Sequence, residues 1–207
     1  IVLRTFEHKN VLEMAKFAAI PVINGLSDFS HPCQGLADVY TVKEKLGDKK
    51  GITLAYIGDG NNVCHSLLYA CTKTGININV GTPKGYEPDS LVLKEAKAIA
   101  KAKNTEVNLF NLPQDAVKGV DVIYTDVWAS MGQEQEAEKR KKIFKGFQIN
   151  KELIRHAKKD VLIMHCLPAH RGEEISDEAM ESRNCVVFDQ AENRMHVQKA
   201  ILIKLLS

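Results

Sequence analysis

The sequence predicts an α/β fold: a doubly wound parallel sheet, accompanied by the C-terminal part of a second α/β domain. Three observations lead there. Short β-branched runs alternate with longer segments of helical spacing, the pattern of βαβ units. Runs such as Val161-Leu162-Ile163-Met164 are apolar throughout, as strands covered on both faces must be. Hydrophobic residues make up 44% and charged residues 26%, an ordinary balance that excludes disorder, collagen and coiled coil as overall classes.

The elements follow in chain order. Strand-like runs lie at residues 1–3, 21–23, 52–57, 76–80, 106–109, 120–125, 161–164 and 185–188. Residues 31–46 have helical character, and the polar turn Gly47-Asp48-Lys49-Lys50-Gly51 ends them. Across residues 61–74, Val63, Leu67, Leu68 and Cys71 share one helical face; across 89–103, Leu93, Ala96, Ile99 and Ala100 do the same. Residues 192–206 carry Met195, Val197, Ala200, Ile201, Lys204 and Leu205 at helical spacings. The expected division is residues 1–47, the end of one domain; 48–190, a complete α/β domain; and 191–207, a terminal helix returning to the first domain.

At 207 residues the chain is long enough for one full domain and a piece of another. It opens at Ile1 inside a strand-like run, so it is expected to be part of a longer chain. The 28 Lys+Arg and 26 Asp+Glu leave a net charge of +2, no basis for a nucleic-acid or membrane surface as the main partner. Its apolar runs fall far short of the roughly 20 residues a bilayer span needs. Cys33, Cys64, Cys71, Cys166 and Cys185 form no C-x-x-C pair, and their odd number and scatter imply free thiols in a reducing compartment. The first residues do not read as a secretory signal peptide.

In doubly wound sheets, ligands bind beyond the carboxyl ends of the strands. Gly58-Asp59-Gly60-Asn61-Asn62-Val63 follows one strand-like run and opens a helix. It fails as a dinucleotide fingerprint. Val63 stands where the third glycine belongs, and Asn79-Val80-Gly81-Thr82 lacks the acid expected about 20 residues on. NAD binding is therefore disfavoured. Asn62 and the N–H groups of that helix start suit a carboxylate or phosphate. Taken alone, helix capping by Asp59 and the asparagines explains the turn better.

The loop Asp126-Val127-Trp128-Ala129-Ser130-Met131-Gly132-Gln133-Glu134 offers a carboxylate, a hydroxyl and a flexible glycine. It can bind a cationic amine and close over it, or merely cap a helix, and the two readings are even. His165-Cys166-Leu167-Pro168-Ala169-His170 puts a thiol beside polar groups just past a strand end. A zinc site from His165, Cys166 and His170 matches no standard spacing, and a packed thiol is the commoner outcome. His31-Pro32-Cys33-Gln34 at a helix start, Glu192-Asn193-Arg194-Met195-His196 and Arg4 supply cations and donors for a phosphate-like anion.

Together these segments resemble the ornithine carbamoyltransferase family. The matching motifs are Pro21-Val22-Ile23-Asn24-Gly25-Leu26-Ser27-Asp28, His31-Pro32-Cys33-Gln34, Gly58-Asp59-Gly60-Asn61-Asn62, Asp126-Val127-Trp128 with Ser130-Met131-Gly132, His165-Cys166-Leu167-Pro168 and Glu192-Asn193-Arg194. They keep the family's order and cover nearly the whole chain. The resemblance implies transfer of a carbamoyl group from carbamoyl phosphate to L-ornithine, giving L-citrulline and phosphate, with no metal or organic cofactor. It implies that Arg4, His31, Gln34, Cys166, Leu167 and Arg194 contact carbamoyl phosphate. It assigns Asn62, Asp126, Ser130 and Met131 to ornithine, and catalysis to Cys166, Asp126 and His31. Residues 1–47 then end a carbamoyl-phosphate domain, and 48–190 form the ornithine domain.

The same resemblance implies a homotrimer, or a multiple of trimers, for the complete protein. A cytoplasmic location is expected, or the mitochondrial matrix if the source is eukaryotic. The family's Ser-Thr-Arg-Thr phosphate cradle is absent from these 207 residues, so they are expected to be inactive alone. Two alternatives stay open: a sister transcarbamylase using putrescine or N-acetylornithine, and a non-catalytic amino-acid-binding domain.

Overall fold

The computed structural model describes residues 1–47, 49–129 and 134–207. Strands β1 (Val2–Arg4) and β2 (Ile23–Leu26) form a parallel pair, joined by helix α1 (His8–Phe17). Helix α2 (Pro32–Leu46) follows. Pro32 opens its first turn, where a missing N–H is harmless and the fixed φ suits a helix. The chain continues through β3 (Thr53–Ile57), α3 (Asn62–Thr74), β4 (Asn77–Gly81), α4 (Ser90–Lys103), β5 (Val107–Phe110), α5 (Pro113–Ala116) and β6 (Val122–Thr125). It ends with α6 (Ala137–Phe144), α7 (Lys151–Ile154), β7 (Leu162–His165), α8 (Asp177–Met180) and α9 (Val187–Leu206).

The larger sheet has five strands in the order β5-β4-β3-β6-β7, every neighbouring pair parallel. The chain steps outward from β3 to β5, then crosses back to β6. The topological switch point therefore lies between β3 and β6, where doubly wound sheets hold their ligands. Alternate strand residues feed two cores. Leu54, Tyr56, Val122, Tyr124 and Met164 join the apolar faces of α2, α3 and α4. Ala55, Ile57, Ile123 and Ile163 meet Phe144, Phe147, Ile149, Leu153 and Ile175 on the other side. Period-2 alternation with both faces apolar is why these strands read as continuous apolar runs. Leu67 and Leu68 of α3 are fully buried, and truncating either to alanine is expected to cost about 2–5 kcal/mol.

Two helix contacts carry the site across the molecule. Helix α2 lies so close to α3 that a Cβ on Gly35 would stand 3.0 Å from the Ser66 carbonyl oxygen. Helix α9 lies on α2, with Asn193 Nδ2 donating to Thr41 Oγ1 at 3.1 Å and to Glu44 Oε2 at 3.0 Å. Lys45 and Asp189 pair at 2.7 Å on the rim of the same contact.

The expected strand at 185–188 is corrected. Cys185 makes a single bridge to Ile163, and the chain then turns into α9 at Val187. Val187, Gln190 and Asn193 recur at helical spacing and are the buried residues of that helix, so periodicity outweighs the β-branched pair Val186-Val187. The terminal helix thus begins earlier than residue 191. All five cysteines are free thiols. Among the described residues, no helix is long and apolar enough to cross a membrane.

Candidate active site

The turn after β3 is both a cap and a site wall. Asn61 caps α3, its Oδ1 accepting the N–H groups of Val63 at 3.0 Å and Cys64 at 3.1 Å. Its Nδ2 donates to Asp126 Oδ2 at 2.8 Å, so the cap also orients the carboxylate at the end of β6. Asn62 Nδ2 donates to the Ser27 carbonyl at 2.7 Å, reaching the segment before α2. Among the described residues Asp59 caps no helix: Arg140 Nη1 donates to it at 2.7 Å and to the Trp128 carbonyl at 3.0 Å. Both partners are buried, and burial still lifts the Asp59 carboxyl above its ordinary value against the pull of Arg140. Gly60 is required here, because a Cβ would stand 2.2 Å from the Pro88 nitrogen.

Register aligns the neighbouring strand ends. Thr125 pairs with Ile57 on one side and with His165 on the other, so Gly58, Asp126 and Cys166 leave the sheet at one level. The Cys166 thiol donates to Asp126 Oδ1 at 2.8 Å, and Val127 N–H donates to the same oxygen at 2.8 Å. The sulfur is enclosed although the residue keeps some exposed surface. Burial, then the Asp126 charge, push this thiol well above the usual cysteine value. At neutral pH it is a thiol and a hydrogen-bond donor, not a thiolate.

Behind Cys166, the neutral tautomer of His165 is fixed by its neighbours. Leu167 N–H donates to Nδ1 at 2.9 Å, so the ring proton sits on Nε2 and points to Glu174 Oε1 at 3.0 Å. Glu174 is fully buried and also accepts His170 N–H. Leu167 has a φ of 55°, a left-handed conformation uncommon for a non-glycine residue and typical of site backbones. The zinc alternative loses its basis in this geometry. Both ring nitrogens of His165 are engaged, and His170 groups instead with Glu173 and Glu174. Asp126, His165 and Cys166 do bring ligand atoms within 4.8 Å of one another, without the four N/S donors of a structural zinc site.

The anion-side residues gather on α2 and α9. Arg194 Nη1 bonds to Gln34 Oε1 across the two helices. His31, at the start of α2, is 6% exposed, and its N–H donates to Ser66 Oγ at 2.7 Å. Burial, then the charges of Arg194 and Arg4, depress its imidazole to about 3, so it is neutral. His31 Nδ1 and Arg194 Nε are buried without a partner among the described residues, so each has hydrogen-bonding capacity left. Arg4 lies exposed at the end of β1. Ser130 and Met131 lie outside the described residues.

The supporting residues Asn61, Arg140, Glu174, Asp38 and Gln190 escape the sequence-level site. Asn61 lies in Gly58-Asp59-Gly60-Asn61-Asn62, and its place directly before the helix is the signal that marks it. Arg140 lies in Lys139-Arg140-Lys141-Lys142, a run that reads as a solvated face.

Comparison with known proteins finds matches along nearly the whole chain. Residues 50–205 match the aspartate/ornithine carbamoyltransferase family model for the Asp/Orn binding domain, and residues 1–44 match that for the carbamoyl-P binding domain. The ornithine carbamoyltransferase of Pyrococcus horikoshii is 59% identical over 206 residues, covering 100% of this chain and 65% of that protein. The solved ornithine carbamoyltransferase of Pyrococcus furiosus superposes with a TM-score of 0.94 at 59% identity, over 98% of this chain and 64% of that one. That of Gloeobacter violaceus gives a TM-score of 0.93 at 45% identity, over 100% and 69% respectively. The chain spans about 65% of the length of the Pyrococcus horikoshii protein.

Proposed function

The chain belongs to the aspartate/ornithine carbamoyltransferase family, and from that premise we propose that the full-length protein carrying it moves the carbamoyl group of carbamoyl phosphate onto the side-chain amine of L-ornithine. L-citrulline and phosphate are the products. One arrangement supports the reading most: the Cys166–Asp126 pair beside the sheet's switch point, in a molecule that also gathers His31, Gln34 and Arg194 on α2 and α9.

The amine nitrogen attacks the carbonyl carbon. A C–N bond forms and the C–O bond to phosphate breaks; of the two protons the ammonium nitrogen sheds, one passes to solvent before attack and the other leaves on the phosphate. The incoming group arrives as an ammonium, attracted by the Asp126 carboxylate. The enclosed surroundings of Cys166 favour its neutral, nucleophilic form. Charge builds on the carbonyl oxygen in the tetrahedral state. His31 is neutral, so it stabilises that oxygen by hydrogen bonding rather than by giving up a proton. Arg4, Arg194 and Gln34 hold the phosphate, a geometry that guanidinium groups suit. Leu167 N–H is taken by His165, which leaves its carbonyl oxygen to accept from the carbamoyl NH2. Asn62 offers Oδ1, its Nδ2 being bound to Ser27. Asn62, Ser130 and Met131 complete the ornithine side. Holding two substrates in line can supply up to roughly 7–11 kcal/mol of the barrier.

On this reading residues 1–47 end the carbamoyl-phosphate domain, 48–190 form the ornithine domain and 191–207 return to the first. The full-length protein works without a cofactor as a homotrimer or a multiple of trimers, in the cytoplasm or, in a eukaryote, the mitochondrial matrix. The test is citrulline formation by the full-length protein with ornithine, putrescine and N-acetylornithine as competing amines. Faster turnover of putrescine or N-acetylornithine overturns the substrate. Calorimetric binding of ornithine with no turnover of any amine identifies a non-catalytic binding domain instead.

A further inference from the structure

One fully buried acid has no place in this mechanism. Asp38 of α2 is 0% exposed, and its Oδ1 accepts from two glutamine amides: Gln34 Nε2 at 2.7 Å and Gln190 Nε2 at 2.8 Å. A glutamine amide is planar, so an NH2 group turned towards Asp38 turns the carbonyl oxygen the other way. For Gln34 that oxygen meets the Arg194 guanidinium. For Gln190 it accepts the backbone N–H of His165 at 3.1 Å, the residue before Cys166. Were either amide reversed, its NH2 would confront a donor, and that donor, the half-buried Arg194 guanidinium or the buried His165 N–H, would lose its acceptor. Asp38 Oδ1 is thus the acceptor the two amides share, one amide serving each half of the site; Gln190 Nε2 also reaches the Tyr124 hydroxyl, at the longer distance of 3.3 Å.

We propose that Asp38 is a positioning residue for carbamoyl transfer, orienting Gln34 and Gln190 so that Arg194 is held on the phosphate side and the His165–Cys166 turn on the amine side. This rests on the function proposed above. The groups facing Asp38 are Gln34 on α2, Gln190 and Arg194 on α9, Tyr124 on β6, Cys71 on α3 and Cys166 after β7. None is a cation bonded to it. Burial lifts its carboxyl to about 7, with the amide and Tyr124 bonds and Arg194 pulling the other way. Its Oδ2 has no partner among the described residues, so a proton can sit there while Oδ1 goes on accepting. The orienting role is thus independent of the charge, and an asparagine can fill it.

Steady-state kinetics of the full-length protein and its Asp38→Asn, Asp38→Leu, Gln190→Met and Thr41→Val variants test this. Asp38→Leu removes the acceptor together with a costly buried charge, and the KM of both substrates should rise roughly tenfold or more. Asp38→Asn should stay within about threefold of wild type. Gln190→Met should raise the ornithine KM and spare that of carbamoyl phosphate. Thr41→Val breaks a buried α2–α9 contact without touching either amide, and both KM values should hold. A merely structural role would lower the active fraction in Asp38→Leu and leave KM unchanged, which overturns the proposal. So does equal impairment of Asp38→Asn and Asp38→Leu. If Asp38→Leu does not fold, an unchanged ornithine KM in Gln190→Met overturns it. Wild-type protein that forms no citrulline overturns both this and the proposed function; wild-type activity matched by Asp38→Leu overturns this alone.

Discussion

Replacing Cys166 by alanine removes one S–H donor from Asp126 and nothing else from that carboxylate. Val127 N–H still holds Oδ1, and Asn61 Nδ2 still holds Oδ2, each at 2.8 Å. The carboxylate is not orphaned, so the fold should survive. The loss falls on the position where the amine meets carboxylate and sulfur. A hydrogen bond to a charged acceptor is worth about 1.5–3 kcal/mol. Felt fully in the transition state, that is a fall of about 10- to 150-fold in kcat/KM for ornithine. The carbamoyl phosphate KM should stay within about threefold, because its phosphate is held by groups on β1, α2 and α9. Cys166→Ser keeps a donor and should recover part of the loss. Citrulline formation with each substrate varied in turn measures this. A collapse of carbamoyl phosphate affinity with ornithine use intact would refute the assignment of the thiol to the amine. The charge state has its own check. Burial and Asp126 hold the sulfur as a thiol, so alkylation of Cys166 at pH 8 should be slower than that of an exposed cysteine. Fast alkylation with a midpoint below the ordinary value of 9.0 would show a thiolate instead.

Three further outcomes follow from the same geometry. Arg140→Met leaves Asp59 buried without its cation, which should lower stability by about 3–5 kcal/mol in chemical denaturation. Adding Asp59→Leu should restore much of it, and equal instability of the single and double variants would contradict the pairing. Gly60→Ala forces the turn away from Pro88 and with it the Asn61–Asp126 bond; the ornithine KM should rise by tenfold or more with the circular dichroism spectrum unchanged, and an unaltered KM argues against the turn's role. His31 has its folded value depressed to about 3 from 6.5, so its contribution to stability is present above pH 6.5 and is lost as the pH falls towards 3. The wild-type unfolding free energy should therefore fall across that window by up to about 1.4 kcal/mol per pH unit from this group, and His31→Gln should flatten the slope. Parallel slopes for the two proteins would exclude His31 as the cause.

What could be read in the chain, and what could not, divides by the range of the interaction. The strands at 52–57 and 120–125 were legible because both faces are apolar, a property each strand carries alone. Asp126 and Cys166 were legible because a parallel sheet presents ligand groups where strand-like runs stop. The 185–188 run misled because a β-branched pair is local, while its pairing with β7 ends after one bridge at Cys185. The supporting residues failed for the opposite reason. Arg140 sits in a lysine run of solvated character, and its charge partner in the interior, Asp59, lies 81 positions earlier. Asp38 stands between Ala37 and Val39 on a core-facing helix, where a lone acid has no local explanation. Its partner Gln190 is 152 positions away. Residues that meet a ligand are marked by strand ends and turns, which are local. Residues that hold them in place are chosen by partners from distant elements, and no period in a single chain records that choice. Asp38→Leu and Arg140→Met should therefore disturb the site and the fold respectively, although by local pattern one looks suited to a core-facing helix and the other superficial.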